Sequence, residues 1–380
     1  MLHLPYETVS PFYTDSGLFT GCKTPGPGLF GSRTPHEIYT ARLSDAGLDK
    51  TALGVLWTGA AAQSLAQPSP VTIPYSEEGY FAAEKPIAIG LSFPITRGEK
   101  LRITLSVTSR PKAVVYMDLW EPGSNGPKAV AAADTATNVL EYEAASNGSL
   151  FLRMQPELLT SGAYTLSITA GPSLAFPVQG GNRSSIGSFW GAARDAGARR
   201  HEGIDIFGKK RTPLLAVANG SVYRVEETNL GGKVVWLRPE GKPYHVYYAH
   251  LDEQLVRSGQ QVRAGDTLGL LGNTGNAKNT SPHLHFGIYA TGGAVDPLPF
   301  VNPQVKTPPR ITGSGNIGMV RTKQPVKVYA APDGDTTFRH LPQNTPLNVL
   351  AALGNYYRVV LPDQSSGYVN SSAVTAMSSP

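Results

Sequence analysis

The chain reads as a mainly β, multidomain protein, and three observations predict this. Its 41 glycines and 31 prolines in 380 residues favour turns and short strands over long helices. Apolar residues alternate with polar ones at Leu101, Ile103, Leu105 and Val107, and again at Tyr164, Leu166 and Ile168, the period of a half-buried strand. The length accommodates two or three ordinary domains. A hydrophobic share of 41% with 16% charged residues suits folded domains rather than a disordered chain.

The elements follow in order. Residues 1–34, rich in Gly, Pro, Thr and Ser, read as a tether. Residues 35–70 read as a helical segment: Thr34 caps, Pro35 takes the first helical position and Glu37 the third. Apolar Ile38, Leu43, Leu48, Leu53, Leu56 and Trp57 suggest two short helices broken near Gly47. From 71 to 172 the period is two, with Gly- and Asn-rich turns at 122–126 and 147–148, which predicts a β-sandwich. That part carries no catalytic constellation and reads as structural. Residues 177–303 are strand-rich and hold most of the histidines. A Pro- and Gly-rich linker spans 304–316, and residues 317–380 have the scale of a small five-stranded barrel that folds alone.

The net charge of +5 comes without a run of Lys and Arg. It reads as a solvated surface compatible with an anionic cell-wall polymer, and it gives no support to nucleic-acid binding. One cysteine, Cys22, excludes an intramolecular disulfide. No apolar run reaches the length of a membrane span. Glu7, Pro11 and Asp15 interrupt the N-terminus, so it lacks the apolar region of a signal peptide. Phe19-Thr20-Gly21-Cys22 nevertheless resembles the end of a bacterial lipoprotein cleavage box, which implies a lipid anchor at Cys22 if the true start differs.

The chemistry lies between residues 201 and 285, where four of the eight histidines fall in three tight contexts. These are His201-Glu202-Gly203-Ile204-Asp205, Tyr248-Ala249-His250-Leu251 and His283-Leu284-His285-Phe286. In the third, Leu284 and Phe286 mark a strand, so His283 and His285 share one face about 7 Å apart. One of them can hold a metal while the other reaches toward a substrate. In the first, Gly203 lets the chain turn between His201 and Asp205. An imidazole and a carboxylate from here plus one imidazole from the strand make three ligands, leaving a fourth tetrahedral position open as in a catalytic zinc site. A helical HExxH site is rejected, because the fifth position is Asp205 and Ile204, Ile206 and Phe207 favour a strand. His3, His36, His245 and His340 read as structural.

The region from about 183 to 302 resembles the lysostaphin-type, LytM-like M23 metallopeptidase family. The family's pattern of H-x-x-x-D, a tyrosine-rich strand ending in H-L, and H-x-H is met by the three contexts. The runs at 213–222, 259–266 and 272–276 follow it too. The resemblance implies a β-rich peptidase domain with Zn2+ held by His201, Asp205 and His285, and a catalytic pair in His250 and His283. It implies hydrolysis of peptide crosslinks in bacterial peptidoglycan, hence a place in the periplasm or cell envelope. Some relatives have lost ligands and only activate other wall hydrolases, so the alternative is a non-catalytic wall-binding regulator; all five positions are kept here. Lys278-Asn279-Thr280-Ser281 departs from the family's shorter turn before Pro282. Residues 317–380 resemble a bacterial SH3-like domain through 326–332, 356–359 and 366–369, with Tyr329, Tyr356 or Tyr357 either contacting wall peptides or packing in the core.

Overall fold

In the computed structural model the described residues are 33–194, 197–312, 318–332, 336–363 and 365–377. Residues 1–32 of the tether, Cys22 among them, and residues 313–317 of the linker lie outside them. The two helices form as their punctuation requires. The Thr34 hydroxyl accepts from Glu37 N at 3.2 Å, and Thr34 N donates to Glu37 Oε2 at 2.7 Å, a reciprocal cap on helix Pro35–Asp45. Gly47, at φ 70°, turns the chain into a short 3-10 turn and helix Ala52–Ala66.

Of the apolar positions that suggested these helices, Leu43 and Trp57 are buried, whereas Ile38, Leu48 and Leu56 are exposed. The buried face is largely aromatic and polar instead. His36 stacks on Trp57 at 4.8 Å and hydrogen-bonds Gln155 Oε1 at 2.6 Å, and Trp57 Nε1 donates to the Pro156 carbonyl at 2.8 Å. The helices thereby cover one face of a β-sheet. No helix among the described residues is long and apolar enough to cross a membrane.

That sheet has five strands, ordered Ser69–Pro70, Ile89–Ile95, Gly148–Pro156, Val115–Glu121 and Lys128–Ala132. Its other face packs on a second sheet containing Tyr75–Phe81, Gly162–Pro172, Glu99–Thr108 and Val139–Glu143. The alternation seen in the sequence is the reason: Leu101, Ile103, Leu105, Tyr164, Leu166 and Ile168 all point into one shared core. In register, Ile103 faces Ile168 and Leu105 faces Leu166.

The C-terminal strands do not stand apart from this sandwich. Strand Pro346–Leu353 pairs with Tyr75–Phe81, Glu78 facing Ala352 and Gly79 facing Ala351, so one sheet runs through both. Beneath the seam lies a buried polar group. The Glu77 carboxylate accepts from Tyr75 Oη at 2.6 Å, from Tyr164 Oη at 3.0 Å, and from Arg358 Nη2 at 2.9 Å to each oxygen. Tyr329 and Tyr356 pack against the sandwich core, and Tyr357 is buried. Of the two roles that the sequence left open for these tyrosines, the structure gives them the packing one.

Residues 174–301 build their own core on a mixed set of short and long strands. The main sheet is ordered Ile186–Ser188, Ile204–Phe207, His283–Ala290, Tyr244–Leu251, Gly232–Pro239, Gly220–Thr228 and Gln261–Val262. Its apolar residues Ile204, Ile206, Val246, Tyr248, Leu284, Phe286 and Ile288 are fully buried on one face. The opposite face is where the clustered histidines emerge. Lys242 pairs with Glu143, and Tyr244 Oη donates to Glu143 Oε1 at 3.3 Å, tying this sheet to the sandwich.

Candidate metal centre

Three neighbouring strands of the main sheet position the site. Asp205 lies directly opposite His285 in the antiparallel register, Phe207 opposite His283, and Ala249 opposite His285. Since Ile204, Ile206, Leu284 and Phe286 fill the core, alternation sends Asp205, His283 and His285 out on the other face. His201 precedes the Ile204–Phe207 strand and reaches the same point.

The convergence is tight. Among the described residues, His201, Asp205 and His285 form a group able to hold a metal ion. His201 Nε2 lies 3.0 Å from Asp205 Oδ1 and 3.0 Å from His285 Nδ1, and His285 Nδ1 lies 3.1 Å from Asp205 Oδ1. Whether these atoms fit a metal follows from their protons. His201 Nδ1 sits 2.9 Å from the Phe189 carbonyl, which only accepts, so Nδ1 carries the proton. A neutral His201 then points a lone pair at a carboxylate oxygen. Two acceptors at that distance repel unless a cation or proton lies between them. A near-equilateral triangle of N, N and O atoms is one face of a tetrahedron whose edges are about 3.3 Å for zinc–ligand bonds near 2.0–2.1 Å. The donor set fits such an ion.

The electrostatics agree. Burial would raise the Asp205 carboxyl, but the adjoining His201 and His285 rings outweigh it and hold the group well below the usual carboxylate range. Burial lowers His285, with Asp205 opposing. His250 is pushed down to about 4, first by burial and then by His283 and His285, so its ring is neutral at neutral pH.

His250 and His283 stand beside the triad. Their rings are 5.0 Å apart, and His250 lies 6.0 Å from His285. His250 would face the core by simple alternation with Tyr248. A bulge between the pairs Val235–Tyr248 and Lys233–Leu251, with φ of 68° at His250, re-aims it to the site. A non-glycine residue in that region is strained and is held there by its surroundings. His250 Nδ1 donates to the Thr274 carbonyl at 2.9 Å, and His283 Nδ1 donates to the Ser281 carbonyl at 2.9 Å. In its neutral form each ring therefore carries its lone pair on Nε2.

Several contributors were not legible as site residues. Thr274 was read only as part of a run; its hydroxyl also joins Lys233 N at 3.0 Å and the Leu251 carbonyl at 2.8 Å. Arg194 donates to Asp205 Oδ2 at 2.6 Å. Trp236, Tyr247 and Tyr289 line the sheet beside His285, with Trp236–Tyr247 at 4.4 Å and Tyr247–His285 at 6.0 Å. The 278–281 turn is closed by Asn273, whose side chain donates to the Lys278 carbonyl at 3.2 Å. His245 lies away from the triad, between Arg238 and Tyr223.

Gly203 has a different role from the turn that the sequence suggested. Its φ is not positive. A Cβ placed there would lie 2.6 Å from the Phe286 carbonyl and 2.7 Å from His285 Cε1, so glycine is needed for close approach. Gly203→Ala is expected to displace the His285 ring and weaken metal binding by about 10-fold or more, measured by competition with a chromophoric chelator.

Residues 199–297 match the model of Peptidase family M23. The chain is 35% identical to the L-Ala--D-Glu endopeptidase of Bacillus subtilis, over 33% of this chain and 42% of that protein. It is 27% identical to the murein hydrolase activator NlpD of Salmonella dublin, over 71% of this chain and 70% of that one. Among solved structures, the catalytic domain of lysostaphin from Staphylococcus simulans is 31% identical, with a TM-score of 0.28, covering 30% of this chain and 89% of that one. The match reaches only 21%, 42% and 24% of the length of three curated relatives. The chain carries a domain of peptidase family M23.

Proposed function

We propose that this domain is a zinc-dependent endopeptidase that hydrolyses peptide crosslinks of bacterial peptidoglycan. The observation that carries the reading is the triad of His201, Asp205 and His285 at 3.0–3.1 Å with two proton-accepting imidazoles beside it. These three residues would hold the zinc. When bound, zinc supplies polarisation of a scissile carbonyl and acidification of water toward a pKa of about 7.

The chain's own residues do the rest. His283 and His250 present bare Nε2 atoms, fixed by the carbonyls of Ser281 and Thr274. Either can accept a proton there and later release it to the departing amine. The other, after taking up a proton from solvent on its Nε2, can donate a hydrogen bond to the developing oxyanion. The Thr274 and Ser281 contacts hold these rings before substrate arrives, so little reorganisation is needed. Crosslinked peptidoglycan lies outside the cytoplasmic membrane, which places the activity in the periplasm or cell envelope.

The similarity to a murein hydrolase activator over 71% of the chain supports a second reading, in which the domain regulates other wall hydrolases. One experiment separates the two. Zinc-loaded protein incubated with defined crosslinked muropeptides is expected to give cleaved peptides by mass spectrometry, and the reaction is expected to stop with a chelator. Intact muropeptides, together with stimulation of a separately added murein hydrolase, would establish the regulator instead.

A further inference from the structure

Arg194 makes a contact that the proposed chemistry has not used. The Asp205 carboxylate turns Oδ1 toward His201 and His285. Its other oxygen, Oδ2, accepts from Arg194 Nη2 at 2.6 Å, and the same nitrogen donates to Ser188 Oγ at 2.7 Å. Ser188 Oγ lies 3.3 Å from His201 Nδ1. The guanidinium thus touches one ligand directly and a second through a hydroxyl.

The placement of Arg194 is built into the backbone. Strand Ala193–Arg194 pairs with Arg199–Arg200. The same hairpin closes on the ligand itself: Gly191 N donates to the His201 carbonyl at 2.9 Å, and His201 N donates to the Ala192 carbonyl at 2.8 Å. Asp205 is mostly buried while Arg194 is one-third exposed, so the arginine caps the carboxylate from the solvent side.

We propose that Arg194 is a positioning residue that confines Asp205 to single-oxygen ligation and keeps the fourth coordination position open. This rests on the zinc-endopeptidase reading. A carboxylate can bind a metal through one oxygen or two. With both oxygens it would fill the position that a catalytic site leaves for water or substrate. An arginine, charged at any working pH, occupies Oδ2 and fixes the rotation of the carboxylate about its Cβ–Cγ bond. It also offsets the carboxylate's charge, which leaves the metal more electron-poor.

The test uses the full chain loaded with Co2+, whose visible absorption is intense when four-coordinate and weak at higher coordination number. The wild type is expected to show the intense spectrum. Arg194→Met should lose several-fold of that intensity and, on a crosslinked muropeptide dimer, about 10- to 100-fold of kcat with KM little changed, the usual size for an outer partner of a ligand. Arg194→Lys should recover much of both. Ser188→Ala, which removes the second anchor of Arg194 and leaves Asp205 untouched, should move both readouts less in the same direction. An Arg194→Met protein with the wild-type cobalt spectrum would overturn the proposal, whatever its activity. A wild type that takes up cobalt yet cleaves nothing would overturn the endopeptidase reading, while the spectra still decide the role of Arg194. A wild type that takes up neither cobalt nor zinc would overturn both.

Discussion

His283→Ala protein is expected to keep its full zinc content and to lose about 10²- to 10⁴-fold of its turnover, the range for a removed general base. The geometry makes the separation sharp. His283 and His285 share one face of one strand, but only His285 Nδ1 lies within 3.1 Å of Asp205 Oδ1 and 3.0 Å of His201 Nε2. His283 instead stacks near Phe207, 5.1 Å between ring centroids, and spends its Nδ1 proton on the Ser281 carbonyl. His250→Ala should behave as His283→Ala does. His201→Ala, Asp205→Ala and His285→Ala should each lose the metal itself, because a three-ligand site stripped to two holds zinc poorly. Elemental analysis of dialysed protein decides it. Zinc lost from His283→Ala but kept in His285→Ala would mean that the two histidines exchange roles.

Much of this site was legible because strand periodicity is a strict rule. Once Leu284 and Phe286 are core residues, His283 and His285 must share the other face, and the sequence says so directly. Asp205 follows from Ile204 and Ile206 in the same way. His250 does not, since alternation assigns it to the wrong face. Only the bulge at Ala249–His250, with its positive φ, brings it round, and a bulge leaves little trace in residue types. Arg194 escaped for another reason. It meets Asp205 across eleven residues of hairpin, a separation set by turn geometry, with no period to betray it. Gly203 was visible as a glycine, but whether it serves a turn or a close approach depends on the ring that packs against it, which belongs to a distant strand.

The sandwich was legible from its alternation and the two helices from their caps and Gly47, but the face that the helices bury was not. The segment buries His36 and Ser64 beside Leu43 and Trp57 and leaves Ile38, Leu48 and Leu56 in solvent, so the apolar pattern marked the buried stripe only in part. The C-terminal strands show the same limit more strongly. Short alternating strands after a Pro- and Gly-rich stretch read as a barrel that folds alone. What joins them to the sandwich is one edge pairing, the packing of Leu353, Tyr368, Tyr329 and Tyr356 on its core, and one charge, Arg358, whose partner Glu77 lies 281 residues away in sequence. Neither residue is unusual where it stands; a Glu on a strand ordinarily faces water.

Arg358→Met is expected to destabilise the sandwich and C-terminal strands together by about 3–5 kcal/mol, the cost of leaving one member of a buried ion pair unpaired. Glu77 has no exposure and Arg358 almost none, so water cannot take over either charge. Burial alone would lower the arginine's pKa, but the Glu77 carboxylate outweighs it and keeps the guanidinium charged. In the variant, Tyr75 and Tyr164 still donate to Glu77, which leaves a carboxylate with two hydrogen bonds and no counter-charge. Glu77→Gln should be about as damaging from the other side. The pair is not ideally satisfied, since Arg358 Nε has no hydrogen-bond acceptor. The double variant Glu77→Leu with Arg358→Met should therefore recover most of the loss, because apolar replacement of both partners removes the desolvation cost along with the attraction. Calorimetric unfolding would show this as an earlier first transition in each single variant and its return in the double. Zinc uptake and cleavage at low temperature should be unchanged throughout, since the triad sits in a separate sheet with its own core. Removing residues 318–380 should act as the single variant does, because it strips Arg358 from Glu77 and bares the edge of Tyr75–Phe81. A truncated protein as stable as the full chain would show that the C-terminal strands fold alone after all, with the seam contributing nothing measurable.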